Sequence, residues 1–517
     1  MRWLLLPIFN RVPPDSREKT GVVVSAKVEH MDGCDYYAER AEDCRRVSSI
    51  SPELYDVYDV KKGLRDKDGN GVKAGITKIS KVVGVEKTDK GLVPCEGRLS
   101  YRGYDIRDLI SRHSGDGPRF EEAAYLLLFG KLPSPEETET FRSMLMKNMD
   151  LPGVFVKDVI FREYGHDIMN TMARGVLGLS GYDDRAMDCS LENVVRQCMA
   201  IIGRLPMLAV YGYHSHNHYD NNGHLIILRP DPDLGMAENI MAMLRPDGKY
   251  TRLEAEVLDI ALTLHMEHGG GNNSAFTARV VSSSGSDTYS VITAALLSLK
   301  GPKHGGANVK VMEMADDIKA HVPDTDDKEA LAAYLTKIMD REAFDRQGLV
   351  YGMGHAVYTL SDPRAVILRS YAGRLAKEKG REKDMRLFEA IEELSPDIIR
   401  SRRPHATSVC ANVDLYSGFL YDMLGIPSEL FTPMFAVARA VGWSAHRIEE
   451  LITSGKIIRP KYVSIAEDRE FAPTAGGDSD PDDGFGGEQG NWSRRGLSRT
   501  PLSRDRSHEP CPRGPCR

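Results

Sequence analysis

Through the middle of the chain, apolar residues recur every three or four positions, the spacing of one buried helix face, and seldom at every second one. Phe120 to Phe129 is such a run. Gly130 can close it, because glycine adopts the left-handed conformation of a helix C-cap without a Cβ clash. Pro133 follows as a stop, and a second helix then begins with Ser134 as N-cap, Pro135 at the first position and Glu137 completing a capping box. Similar amphipathic runs predict helices over 237–244, 254–266, 287–299, 386–394 and 433–441. The best strand is Ile76 to Val83, rich in β-branched residues but without strict alternation. The pattern predicts an all-α fold.

The two ends lack this periodicity. Residues 1–49 read as a polar N-terminal extension, with Pro13 and Pro14 among mixed charges. The apolar stretch Trp3–Phe9 is shorter than the roughly 20 residues needed to span a bilayer, and no small-residue cleavage site follows it. After Val463 the chain turns to glycine, aspartate and serine, so 464–517 is expected to be disordered for want of apolar surface to bury. Seven arginines fall in its last 24 residues, which leaves a contact with RNA or an acidic protein open beside a plain solvated tail.

Composition narrows the class. Acidic residues outnumber basic ones 75 to 68, for a net charge of −7 over 517 residues. A mean hydropathy of −0.36 excludes a multi-span membrane protein, and a pI near 6.1 gives no chain-wide field for nucleic acid. Neither a membrane nor a nucleic-acid partner is expected. Eight scattered cysteines without a Cys-x-x-Cys pair point to a reducing, cytoplasmic setting. There is no Walker loop, and Gly352-Met353-Gly354 lacks the third glycine of a dinucleotide fingerprint.

Candidate chemistry gathers at five places. In Leu264-His265-Met266-Glu267-His268 a helix runs out into Gly269, Gly270 and Gly271. A helix-end histidine there is a cap, a core residue or a ligand, and the His-Glu-x-x-His order of a zinc protease is absent. Next, Gly301-Pro302-Lys303-His304-Gly305-Gly306 presents His304 at a helix N-terminus, where the dipole disfavours imidazolium. A neutral imidazole there can donate to an oxygen gaining negative charge; the alternative is a plain turn histidine. The third is Gly354-His355-Ala356-Val357-Tyr358, followed by Asp362 as N-cap, Pro363 and Arg364, which can converge on an anionic carbonyl compound. The fourth is Asp414, among small and apolar residues, either a helix cap or a base whose pKa burial raises. The fifth is a pair of arginines, Arg439 inside an apolar helix and Arg459 before Pro460. Outside these, His214, His216 and His218 stand at spacing two; an exposed loop is expected, with adventitious metal capture as the alternative.

Together these motifs resemble the citrate synthase family. The likeness runs from Tyr58-Asp59-Val60-Lys61-Lys62-Gly63, through Gly97-Arg98-Leu99-Ser100-Tyr101-Arg102-Gly103-Tyr104, to Arg459-Pro460-Lys461. It implies a two-domain helical fold, with a large domain over 50–305 and 426–463 and a small domain over 306–425. It implies catalytic roles for His304 at the acetyl-CoA enolate, His355 at the oxaloacetate carbonyl and Asp414 as base. His268, His355, Arg364 and Arg439 would bind oxaloacetate, joined by Arg459 from the other subunit of a homodimer. Gly352, Met353 and Gly354 would touch CoA. No metal or resident cofactor is implied. The activity implied is condensation of acetyl-CoA with oxaloacetate to citrate, with 2-methylcitrate synthesis from propionyl-CoA as the near alternative.

Overall fold

A computed structural model describes residues 33–66, 71–89, 91–113, 117–406, 408–453 and 455–468. Residues 1–32 of the expected extension and 469–517 of the expected disordered tail lie outside these. The described residues up to Pro460 belong to one compact unit, and the chain from Lys461 to a second. Of that second unit 461–468 is described, an exposed run without helix or strand.

The fold is helical, as the periodicity predicts. The run at Phe120 is a helix, Arg119–Phe129, closed by Gly130 at φ 84°. The next, Pro135–Lys147, carries the capping box: Glu137 N–H donates to Ser134 Oγ (3.2 Å) and Ser134 N–H to the Glu137 carboxylate (3.0 Å). Helices Met236–Leu244, Arg252–His265 and Thr288–Leu299 match their predicted spans to within two residues. The runs at 386–394 and 433–441 are the middles of longer helices, Glu382–Arg402 and Phe431–Thr453.

The Phe431–Thr453 helix is buried from Phe431 and Pro433 through Glu450. It packs against Arg119–Phe129, Leu191–Asn221, Arg252–His265, Asn273–Ser283 and Thr288–Leu299. A helix apolar on all sides is stable only when so surrounded. Farther along the chain, Ala307–His321 and Pro363–Lys379 pack on Val413–Met423, and Lys328–Met339 packs on Glu382–Arg402. These two groups meet where Arg252–His265 touches Pro363–Lys379 and Val413–Met423.

Three readings are corrected. Residues 33–48 of the expected extension form a helix, with every described side chain exposed except the half-buried Asp43. Its described side chains bury no apolar face, so periodicity could not reveal it; pairs such as Arg45–Glu42 (2.6 Å) and Arg40–Asp43 (2.9 Å) line it instead. The His214 tract is not a loop but the end of the Leu191–Asn221 helix, which runs through Pro206. That helix is long and apolar enough to cross a membrane, yet 78% of its apolar window is buried within the protein. The strand begins later than read: β1 is Ser80–Thr88, paired antiparallel with β2, Gly91–Tyr101, which in turn pairs with the two-residue β3, Tyr104–Asp105. β2 escaped notice because Pro94 and Gly97 interrupt it; Pro94 stands opposite Val85, just past a bulge, where a missing N–H is tolerated.

The sheet has a positional task. At its bulge Gly84 meets the loop after His355 so closely that a Cβ would sit 2.2 Å from the Val357 carbonyl oxygen. Thr359 Oγ1 donates to Gly84 O (2.5 Å) and Gly97 N–H to Ser361 Oγ (3.2 Å), pinning residues 357–361.

Candidate active site

The Arg252–His265 helix ends on a buried network that sets the direction of His268. The Glu267 carboxylate accepts from Ser80 Oγ (2.8 Å), the Gly269 N–H (2.7 Å) and His446 Nε2 (3.0 Å) through one oxygen. Burial pushes this carboxyl up, but His446, Arg439 and Ser80 outweigh burial and hold it at about 2. Arg279 Nε–H donates to His446 Nδ1 (3.0 Å) and its guanidinium pairs with Glu449 and Glu450. The two histidines of the motif part ways. His265 is a core residue, its ring edge-on to Phe435 with centroids 4.4 Å apart and its Nδ1 on Ala261 O. His268 turns to the site, Nε2 3.2 Å from Tyr358 Oη and its ring 5.0 Å from that of His355. Burial, with the Arg364 charge second, lowers its pKa well below the usual histidine value.

His355 receives two backbone donors on Nδ1, from Val357 and Tyr358, each at 3.0 Å. An N–H can only donate, so Nδ1 is bare and the proton of the neutral ring sits on Nε2. Burial, then the Arg364 guanidinium, lowers the pKa to about 4, so the ring is neutral at physiological pH. Arg364 approaches Nε2 at 3.5 Å and is gripped by its own N-cap: Asp362 accepts from Nε (3.0 Å) and Nη2 (2.7 Å). Both members of this ion pair are buried.

His304 sits just before the Ala307–His321 helix. Its Nε2 lies 3.0 Å from Ser274 Oγ and accepts the Ser274 N–H at 3.4 Å, which leaves Nδ1 as the protonated nitrogen. Trp443 Nε1 donates to the same hydroxyl (3.1 Å), tying His304 to the central helix. Burial, then the Arg439 charge, lowers its pKa to about 4. Asp414 lies in the first turn of Val413–Met423, but Asn412 is the cap, its Oδ1 accepting the Asp414 N–H at 3.0 Å. The Asp414 carboxyl is therefore not spent on capping. Burial lifts its pKa to about 6 against the opposing charges of Arg364 and Arg439.

Arg439 donates Nε–H to the His265 carbonyl (2.7 Å), while its Nη1 is buried without a partner among the described residues. Burial brings its pKa down to about 10, and its charge acts on His268, His304 and Asp414 alike. Gly352 and Gly354, at φ 82° and 88°, turn the loop under Asp414. Asn412 N–H donates to Gly352 O (2.9 Å) and Gly354 N–H to Cys410 O (2.8 Å), and Met353 bridges to Ala411. Arg459 stands apart: it is exposed, and no hydrogen bond or ion pair joins it to the cluster among the described residues. A cavity of about 740 Å³ bordered by Arg119, Glu121 and Asp259 opens elsewhere and touches none of these groups.

Residues 68–461 match the model of the citrate synthase C-terminal domain. The chain belongs to the citrate synthase family. It is thereby an acyltransferase. It is 32% identical over 401 residues to a citrate synthase of Synechocystis, covering 77% of this chain and 90% of that one. It is 31% identical over 419 residues to 2-methylcitrate synthase 1 of Corynebacterium glutamicum, covering 80% and 97%. A citrate synthase from Thermoplasma acidophilum, solved as a ternary complex with carboxymethyl coenzyme A and oxaloacetate, superposes with a TM-score of 0.65 at 26% identity, covering 80% of this chain and 98% of that one.

Sequence reasoning left Tyr358, Ser274 and the Glu267–His446 pair without roles. Tyr358 and Ser274 stand inside the quoted motifs, but what marks them is a partner far along the chain: His268 for one, His304 and Trp443 for the other.

Proposed function

We propose that this citrate synthase family member condenses acetyl-CoA with oxaloacetate and water to give citrate and CoA. The observation that supports this most is the protonation pattern. Two neutral histidines each offer one N–H, in a site that also holds a carboxyl of pKa about 6 and a buried guanidinium N–H lacking an acceptor. A thioester methyl is a very weak carbon acid, so a carboxylate alone cannot generate useful carbanion. In this reading Asp414 takes a methyl proton while His304 Nδ1–H donates to the thioester oxygen on which charge develops. The nucleophilic carbon then attacks the keto carbon of oxaloacetate, whose oxygen His355 Nε2–H polarises. Arg364 and Arg439 grip carboxylates, the latter through Nη1. Water cleaves the resulting citryl thioester, releasing CoA and citrate. Each step is assigned to a side chain or to water, without a metal.

We further infer a homodimer in which Arg459 completes the neighbouring site; its exposed position, apart from its own chain's cluster, supports this. The small domain over 306–425 would close on the large one, and Gly352–Gly354 would meet CoA. A reducing, cytoplasmic setting is supported by Cys44, Cys95, Cys189, Cys198 and Cys410, all free thiols. The test is thiol release from acetyl-CoA with oxaloacetate, repeated with propionyl-CoA. A higher kcat/KM for acetyl-CoA is expected. Because one methylene in a pocket changes selectivity by about 10–200-fold, a clear preference for propionyl-CoA would make this a 2-methylcitrate synthase instead.

A further inference from the structure

The histidine tract is not used by the chemistry above. On a helix, successive residues turn by about 100°, so side chains two apart point in nearly opposite directions. His216 accordingly points away from His214 and His218, which lie one turn apart on the same side of the helix. His214 is buried with Nε2 3.1 Å from Met243 O, and His218 Nδ1 bonds Gly223 O (2.9 Å) beyond the helix end. His216 faces Asp220 one turn on, Nδ1 to Oδ2 2.7 Å. From another segment, just before the Ile168–Leu179 helix, His166 brings its own Nδ1 to the same oxygen, at 2.6 Å. The donor atoms of all three side chains lie within 4.8 Å of one another.

We propose that His166, His216 and Asp220 form a binding site for a divalent transition ion of the Zn²⁺ class, clipping the segment before the Ile168–Leu179 helix to the end of the Leu191–Asn221 helix. Two imidazole nitrogens and one carboxylate oxygen are a zinc donor set, with water completing the tetrahedron. Calcium and magnesium select oxygen ligands and fit it poorly. Ligand bonds of about 2.0–2.2 Å require the donors to open to roughly 3.3 Å apart. Both nitrogens must draw back from Asp220 Oδ2: His166, whose side chain is 80% exposed, is free to move, and His216 and Asp220, at 12% and 19% and one helical turn apart, need only a small side-chain adjustment. The mobile ligand is nevertheless aimed: Tyr164 stacks on Tyr219 with centroids 4.5 Å apart and meets the His166 ring edge-on at 5.7 Å. The site is independent of the catalytic reading, since no residue of the cluster around His304, His355 and Asp414 belongs to it.

The test is Zn²⁺ titration of the tag-free full-length protein by equilibrium dialysis at neutral pH, with the melting temperature followed in parallel. One Zn²⁺ per chain is expected to depend on this site and to raise Tm, because an ion bound only by the folded state stabilises it. His166→Ala, on an exposed side chain that cannot disturb the core, should weaken that binding at least about tenfold, the lower end of what loss of even an outer partner of a metal site costs. His216→Ala should do the same, and His218→Ala should leave it intact. Unchanged binding in His166→Ala, an equal loss in His218→Ala, or no Zn²⁺ retained by the parent protein would overturn the proposal.

Discussion

Replacing Asp414 by asparagine should make the protein more stable and nearly inactive at once. In the folded chain burial raises the carboxyl from 3.8 to about 6, so between those values the native state holds a proton that the unfolded state releases. Stability then falls as pH rises, by about 1.4 kcal/mol per pH unit. Below the lower value both states are protonated and nothing is lost; above the upper one the full deficit, about 3 kcal/mol, is present. Asparagine keeps the shape and cannot ionise. The stability gap between Asp414→Asn and the parent should be near zero in acid, open between the two pKa values and plateau at neutral pH. Urea unfolding in a series from pH ~4 to ~8 measures it, and the histidines, common to both proteins, cancel in the difference. The same variant should lose about 10²–10⁴ in kcat in the thiol-release assay, the usual worth of a positioned base. A gap independent of pH, or a variant less stable than the parent at neutral pH, would refute the burial argument; full turnover would refute the role.

His304→Ala should lower kcat by about 10²–10³, as expected for one donor to a developing oxyanion, with the KM for oxaloacetate little changed in steady-state kinetics. Arg364→Ala strips Asp362 of its buried partner; a loss of about 3–5 kcal/mol is expected in chemical denaturation, with a raised KM for oxaloacetate in whatever protein remains folded. Gly352→Ala puts a Cβ 2.9 Å from Leu415 on a backbone at φ 82°; a lower Tm and a raised KM for the CoA thioester should appear together, whereas Gly373→Ala, with open space around it, should move neither.

Much of the fold was legible because its signals are local. The Gly130 stop, the Ser134–Glu137 box and the Asp362 cap depend on neighbours within four residues, and each is found where the spacing put it. Elements without such a local signature escaped. The Leu191–Asn221 helix is apolar for most of its length and contains Pro206, so no single face stands out. β2 carries a proline and a glycine that a strand tolerates only with its particular partner opposite.

The same division holds for the site. Residue type and order predicted a helical protein and marked His268, His304, His355, Arg364, Asp414 and Arg439 as candidate chemistry, since the motifs around them are contiguous and resemble those of the family. Which nitrogen of each imidazole carries the proton, why burial lifts the Asp414 carboxyl to about 6 and why Arg439 keeps an N–H without an acceptor among the described residues were decided by tertiary structure. Those properties arise from Ser274 meeting His304, from backbone donors closing on His355 and from the exclusion of water, and they exist only when distant segments pack together.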